Sequence, residues 1–235
     1  MFPLLNRNIP HVEDKILSYL EPKGLLTSML VCREWCQKAR PFLFEWYANY
    51  AIIQRKKGRV PLQMAIIDGY DHLVAFLLQD EQVDVNETSK WPMLGRTALM
   101  EAIIHGKDRI TRILLEREDT DVLMESRYHG DTALSVAAAH GNAGAVKMLL
   151  ARPLIGINDC SLNGDSALIK AVIAGEASVV EELLKHPGIN VNIRDTSGYT
   201  ALSHAKMEIN GTWGTMCTSA TRRKIIKLLE DRNAK

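Results

Sequence analysis

The sequence predicts an all-α protein: a three-helix N-terminal segment, then a solenoid of stacked helix pairs. Three observations carry that prediction. A five-residue pattern recurs at Gly95-Arg-Thr-Ala-Leu99, Gly130-Asp-Thr-Ala-Leu134, Gly164-Asp-Ser-Ala-Leu168 and Gly198-Tyr-Thr-Ala-Leu202, its leucines 35, 34 and 34 residues apart. Each period holds a central glycine and a Leu-Leu pair at fixed distances, which divides it into two short helices. The first fifty residues lack the period and read instead as helical runs interrupted by proline and glycine.

In chain order, Ile9-Pro-His-Val-Glu-Asp-Lys-Ile-Leu-Ser-Tyr-Leu20 opens on a proline and places apolar residues at 12, 16, 17 and 20, a helical spacing. Glu21-Pro-Lys-Gly24 ends it. Leu25–Val31 is a second helical run and Cys32–Arg40 a third, before Pro41. So few residues bury too little apolar surface to stand alone. On the sequence alone, Ile16, Leu17, Leu20, Leu25, Leu26 and Leu30 are core residues. The stretch 42–53 carries Phe42, Phe44, Trp46, Tyr47 and Tyr50 with no Gly or Pro. It predicts a helix that caps the periodic part of the chain and joins the two parts without a flexible linker. Packing accounts for its aromatics, with a ligand groove as the alternative.

The periodic part begins with a fainter copy of the pattern, Val60-Pro-Leu62, whose leucine precedes Leu99 by 37 residues. Leu-Leu pairs open fifteen residues after each of the first four pattern leucines, at 77–78, 114–115, 149–150 and 183–184. Gly69, Gly106, Gly141 and Gly175 lie between. Eight residues beyond the pairs stand Asn86, Leu123, Asn158 and Asn192. The Thr or Ser of the pattern can cap a first helix, and the central glycine suits the left-handed residue that closes it. Alanines at 65, 102, 137, 171 and 205 let neighbouring helices approach. One such pair cannot cover its own apolar face, but a stack can.

These units resemble the ankyrin repeat, with its Thr-Pro-Leu-His-x-Ala signature, over about residues 58–230. The resemblance implies helix pairs joined by short β-turn fingers. Proline survives only at Pro61, and the family histidine is replaced by Gln63, Met100, Ser135, Ile169 and Ser203, so the usual Thr–His hydrogen-bond ladder is expected to be missing. In the fifth unit Leu202 to Leu228 spans 26 residues where the others use 15, which predicts a loop at 207–220. The closing helix, from Thr221 to Leu229, is polar on one side, as a terminal cap requires.

The N-terminal residues resemble the F-box over about residues 8–45. Ile9-Pro10, Ile16-Leu-Ser-Tyr-Leu20, Glu21-Pro-Lys-Gly-Leu25 and Val31-Cys-Arg-Glu-Trp35 appear in that family's order. Ile replaces the first Leu of the family pattern, and one residue is missing before Ile16. The resemblance implies docking on the Skp adaptor of a cullin–RING ubiquitin ligase, with Ile9, Pro10, Ile16, Leu17, Leu20, Leu25 and Leu26 as the adaptor-binding residues. The expected domains are thus 1–50, F-box-like, and 51–235, ankyrin-like.

Composition narrows the function. Lys and Arg number 29 against 28 Asp and Glu, a net charge of +1 that offers no field for nucleic acid or an anionic membrane. Arg55-Lys-Lys-Gly-Arg59 and Arg222-Arg-Lys224 read as solvated faces. Every apolar run is far shorter than the roughly 20 residues of a membrane helix. The N-terminus has no signal-peptide pattern and the last residues hold no prenylation cysteine. A soluble cytoplasmic protein is expected, with the nucleus, or the host cytoplasm for a secreted bacterial effector, as variants. Cys32 and Cys36 are one helical turn apart, but four scattered cysteines and seven scattered histidines make no metal framework. No catalytic motif, metal or cofactor is predicted.

Recognition is placed on the fingers. From the asparagine position to the next glycine the gaps are 9, 7, 6 and 6 residues, so the first finger is longest. Loop tips on a rigid scaffold commonly carry recognition. Trp91, Met93, Arg96, Tyr128, His129, Asp131 and Tyr199 are the predicted target-binding residues, with Trp91 folded back over the stack as the alternative for that position. The expected function is a non-catalytic adaptor that presents a target protein to the ligase. A plain ankyrin scaffold or inhibitor without ligase association is the alternative.

Overall fold

A computed structural model describes residues 45, 48–54, 60–78, 83–88, 95–207 and 219–233. The chain divides into two compact units, Met1–Lys57 and Gly58–Lys235. In the first, residues 48–54 are helical, as the aromatic stretch predicts, with Tyr50 and Gln54 buried and Ile52 and Ile53 exposed. The helices expected within 9–40, and the Cys32–Cys36 pair, lie outside the described residues.

The described residues of the second unit form a two-layer stack of five helix pairs: α1 Pro61–Ile67 with α2 Asp71–Leu77, α3 Ala98–Ile104 with α4 Asp108–Glu116, α5 Ala133–Ala139 with α6 Ala143–Leu150, α7 Ala167–Ala174 with α8 Ala177–Lys185, and α9 Ala201–Lys206 with α10 Ser219–Asn233. Each first helix packs on the first helices beside it, and each second helix on its counterparts, so a continuous core runs along the array. The described residues form no extended strand, only isolated bridges between Cys160 and Ser166 and between Arg194 and Thr200.

The local causes are those of the repeated pattern. Thr97, Thr132 and Ser166 each accept the backbone N–H three residues on at 3.3 Å, and Thr200 does so at 3.2 Å. Each hydroxyl satisfies one of the donors that a helix start leaves open. Helix α1 has no such cap: Val60 precedes it, and Pro61 supplies a preset φ and no N–H to satisfy. The pattern alanines are buried in every helix pair, and so is the first leucine of each of the first four Leu-Leu pairs.

At the family's histidine positions the ladder takes another form. Gln63, fully buried, donates from Nε2 to the carbonyls of Glu87 at 2.9 Å and Arg96 at 2.6 Å, reaching the next unit's finger. Ser135 Oγ bonds back to the Thr132 carbonyl at 3.1 Å, and the Thr200 and Ser203 hydroxyls meet at 3.1 Å. Helix α10 begins two residues earlier than predicted, at Ser219, so the end of the expected 207–220 loop is already helical. Residues 208–218 lie outside the described residues. Ile225 and Leu229 are the buried face of α10, whose other positions are polar or partly exposed.

The asparagine at the end of a unit is a brace between units. Asn86 donates to the Asp119 carbonyl at 2.7 Å and accepts from Asp121 N–H at 2.9 Å. Asn158 repeats this on Gly188 at 2.8 Å and Asn190 at 2.8 Å. Leu123 holds the same position between the second and third units and can do neither. The residues it would have met are Leu154, four before Asn158, and Gly156. Leu154 is 90% exposed with φ of +63°, a left-handed conformation costly for a leucine. Leu123→Asn is therefore expected to stabilise the array by about 1 kcal/mol, since a net hydrogen bond contributes about 0.5–1.5 kcal/mol. A higher urea midpoint at unchanged slope checks it; no gain would mean that the Leu154 turn keeps the acceptor out of reach.

Candidate functional site

The fingers leave the stack just before α3, α5, α7 and α9 and are joined to one another through their main chains. Arg127 N–H donates to the Gly95 carbonyl at 3.3 Å, Leu162 N–H to His129 at 2.9 Å, and Thr196 N–H to Asn163 at 2.9 Å. Within the last finger, Asp195 Oδ1 accepts the N–H groups of Ser197 at 2.8 Å and Tyr199 at 2.9 Å. Arg194 donates to the Gly198 carbonyl at 2.7 Å. Main-chain bonds thus run from finger to finger, and side-chain bonds brace the last finger internally.

Of the predicted target-binding residues that are described, Tyr128 and Tyr199 are exposed aromatics, at 54% and 44%. Tyr199 stands edge-on to the His204 ring, centroids 5.7 Å apart at 67°. His129 is exposed, with its carbonyl in the finger-to-finger bonds. Arg96 is half-buried and faces Glu101 at 3.8 Å. Asp131 is half-buried too: it pairs with Lys170 of the next unit and accepts from Ser135 Oγ at 3.4 Å. Trp91 and Met93 lie outside the described residues, as do Ile9, Pro10, Ile16, Leu17, Leu20, Leu25 and Leu26.

The structure adds residues that sequence reasoning missed. Leu162, at a finger tip, is 68% exposed. Glu101, Lys170 and His204 each stand two residues after a pattern leucine, one helical step from the finger base, and that shared register was the signal available. His204 Nε2 meets Asp195 Oδ2 at 2.6 Å. Burial works against ionisation of Asp195, but the Tyr199 and Ser197 N–H groups and the His204 ring hold its carboxyl below the usual range. The Glu101 carboxyl is raised by burial, against the lowering influence of Arg96 and His105. His140 is lowered by burial and by Arg96 and His105. Burial also raises the carboxyl of Asp165, assisted by Asp195 and Asp131 and opposed by Lys170 and His204.

Among the described residues no group of His, Cys, Asp and Glu could hold a metal ion. The Cys160 thiol is pushed up by burial and by Asp159 and Asp165, away from the thiolate that nucleophilic chemistry uses. No helix among the described residues is long and apolar enough to cross a membrane.

Stacked helix pairs edged by hydrogen-bonded loops define a tandem-repeat solenoid protein. Ankyrin repeats match residues 32–126, 62–159 and 134–212, and the chain belongs to the ankyrin-repeat family. A solved structure described as "EF0377 an Ankyrin Repeat Protein" is similar at 25% identity with a TM-score of 0.64, covering 74% of this chain and 81% of that one. Comparison with curated proteins finds no match. No F-box is found. The first repeat match begins at Cys32, inside the segment that resembles the F-box and well before the expected start near residue 58. The array is a protein-interaction module.

Proposed function

We propose that the chain is a substrate-recognition adaptor in which the repeat unit binds a target protein along its fingers and residues 8–45 dock on the Skp adaptor of a cullin–RING ligase. The observation that carries the docking half is one of order: Ile16-Leu-Ser-Tyr-Leu20, Glu21-Pro22 and Val31-Cys-Arg-Glu-Trp35 succeed one another ahead of an interaction module. Exposed Tyr128 and Tyr199 support the target-binding half, because aromatics held on a rigid base are typical interface anchors. The adaptor then works wherever the ligase is, in the cytoplasm or nucleus, or in the host cytoplasm if the chain is a bacterial effector.

Co-purification with the Skp adaptor tests it. Wild-type chain is expected to retain the adaptor, and Pro10→Ala with Leu17→Asp to lose it while the repeats keep their circular dichroism. An aspartate forced onto a buried interface helix costs several kcal/mol of desolvation. Unchanged retention removes the docking proposal, and loss of the whole fold identifies Leu17 as core. The second reading, a scaffold without ligase association, is favoured by the repeat match that starts at Cys32. It expects no adaptor to be retained by the wild type.

A further inference from the structure

We propose that the finger row receives a lysine or arginine side chain of the target protein against Asp165, flanked by Leu162 and Tyr199. This rests on the reading that the fingers bind a protein, and adds the chemistry of what they bind.

Three carboxylates stand along the bases of successive fingers: Asp131, Asp165 and Asp195. The outer two have partners within the chain: Asp131 pairs with Lys170, and Asp195 is hydrogen-bonded to His204 at 2.6 Å. Asp165, between them, makes no hydrogen bond or close ion pair through its side chain among the described residues. Lys170 and His204 are committed elsewhere and act on it only at longer range, while both neighbouring carboxylates repel it. Half-buried and repelled, its negative charge is held at a cost to the folded state, and burial raises its carboxyl accordingly. A cation brought from outside completes the set.

The surroundings select the kind of cation. Leu162 is 68% exposed on the tip of the finger that leads to Asp165, and Tyr199 takes the position of Asp165 one unit further on. Tyr128 adds an exposed ring one finger earlier. An unmatched carboxylate on an edge that also exposes apolar side chains suits a long aliphatic stem with a charged end, since lysine and arginine lay their methylenes on such surface. An aromatic face nearby adds attraction for the same cation. The Leu162–His129 and Thr196–Asn163 main-chain bonds, both 2.9 Å, hold the rim in place before anything binds.

The test is selection of a displayed library of random short peptides on the full chain, then affinity measurements on synthetic copies of the selected sequences. Selected peptides are expected to share a Lys or Arg beside apolar residues. Asp165→Asn is expected to weaken them at least about tenfold, the scale of losing one partner of a buried charge pair. Changing the peptide's basic residue to Glu should abolish binding to the wild type, and Asp165→Lys should restore it. The same Asp165→Asn chain should melt at a higher temperature than wild type at neutral pH, which also confirms that it folds. Peptides that depend on Tyr128 and Leu162 but ignore Asp165→Asn would overturn the cation while leaving the fingers as the binding edge. Peptides indifferent to Tyr128→Ala, Leu162→Ala and Asp165→Asn alike would overturn the finger reading itself.

Discussion

Leu149→Ala is expected to lower the unfolding free energy by about 2–5 kcal/mol, the range for deleting a fully buried leucine. Leu149 has no exposed surface and sits on α6, which packs on α4, α5 and α8. Leu229 is as deeply buried, at 1% exposure, yet it lies on α10, which packs on α8 and α9 at the end of the stack. Burial alone predicts equal losses at the two sites. The array predicts a smaller loss for Leu229→Ala, because a terminal helix can loosen without dragging down the units behind it. Two ion pairs, Lys206–Glu230 at 2.6 Å and Lys224–Glu181 at 3.3 Å, help to hold that helix, but such exposed pairs contribute little. Urea titrations of both variants by circular dichroism decide the matter. Equal losses would point to a single cooperative core.

The second large effect separates two glycines with the same backbone. Gly164 and Gly198 both end fingers in left-handed conformations, with φ of +77° and +83°. Alanine at either costs about 1–2 kcal/mol for the conformation itself. A Cβ on Gly198 would meet nothing within 4 Å, so that is the whole expected cost of Gly198→Ala. On Gly164 it would stand 2.8 Å from the Thr196 amide nitrogen and 2.9 Å from Asp195 Cα, in the next finger's backbone. That backbone cannot step aside without breaking the Thr196–Asn163 bond. Gly164→Ala is therefore expected to cost a further amount of about 1–3 kcal/mol, the scale of overpacking. Thermal melts of the two variants check the difference; equal shifts would show that the fingers separate freely.

The fold is readable because each repeated residue has one physical task. Thr97, Thr132, Ser166 and Thr200 cap, the central glycines turn the chain, and the alanines admit the neighbouring helix. A period is visible whenever such tasks recur at fixed spacing. The edge of the array is where the pattern stops constraining the sequence, and there reading by residue type succeeds only in part. Tyr128 and Tyr199 stand exposed, as their place on the fingers predicts. Asp131 reads by its position as a recognition residue, but its pairing with Lys170 crosses 39 positions, a contact that no local pattern encodes. Leu162 escapes such reading because a leucine in a repeat protein suggests core, although its place two residues before a finger glycine matches that of Tyr128. The brace made by Asn86 and Asn158 is equally hidden: its recurrence is plain, its partners in the next unit are not.

The missing brace at Leu123 has a mechanical side. A solenoid pulled from its ends carries the load through each seam between units in turn, and the weakest seam sets the force at which it parts. The first and third seams are each cross-tied by an asparagine; the second has a leucine there, and its finger bond, Arg127 to Gly95 at 3.3 Å, is longer than the other two. Arg152 still ties the second seam through the Leu115 carbonyl at 3.0 Å, as Arg117 ties the first through Leu78 at 2.9 Å. Under tension the seam between α4 and α6 would open before the first and third, parting the α1–α4 portion from the units that follow.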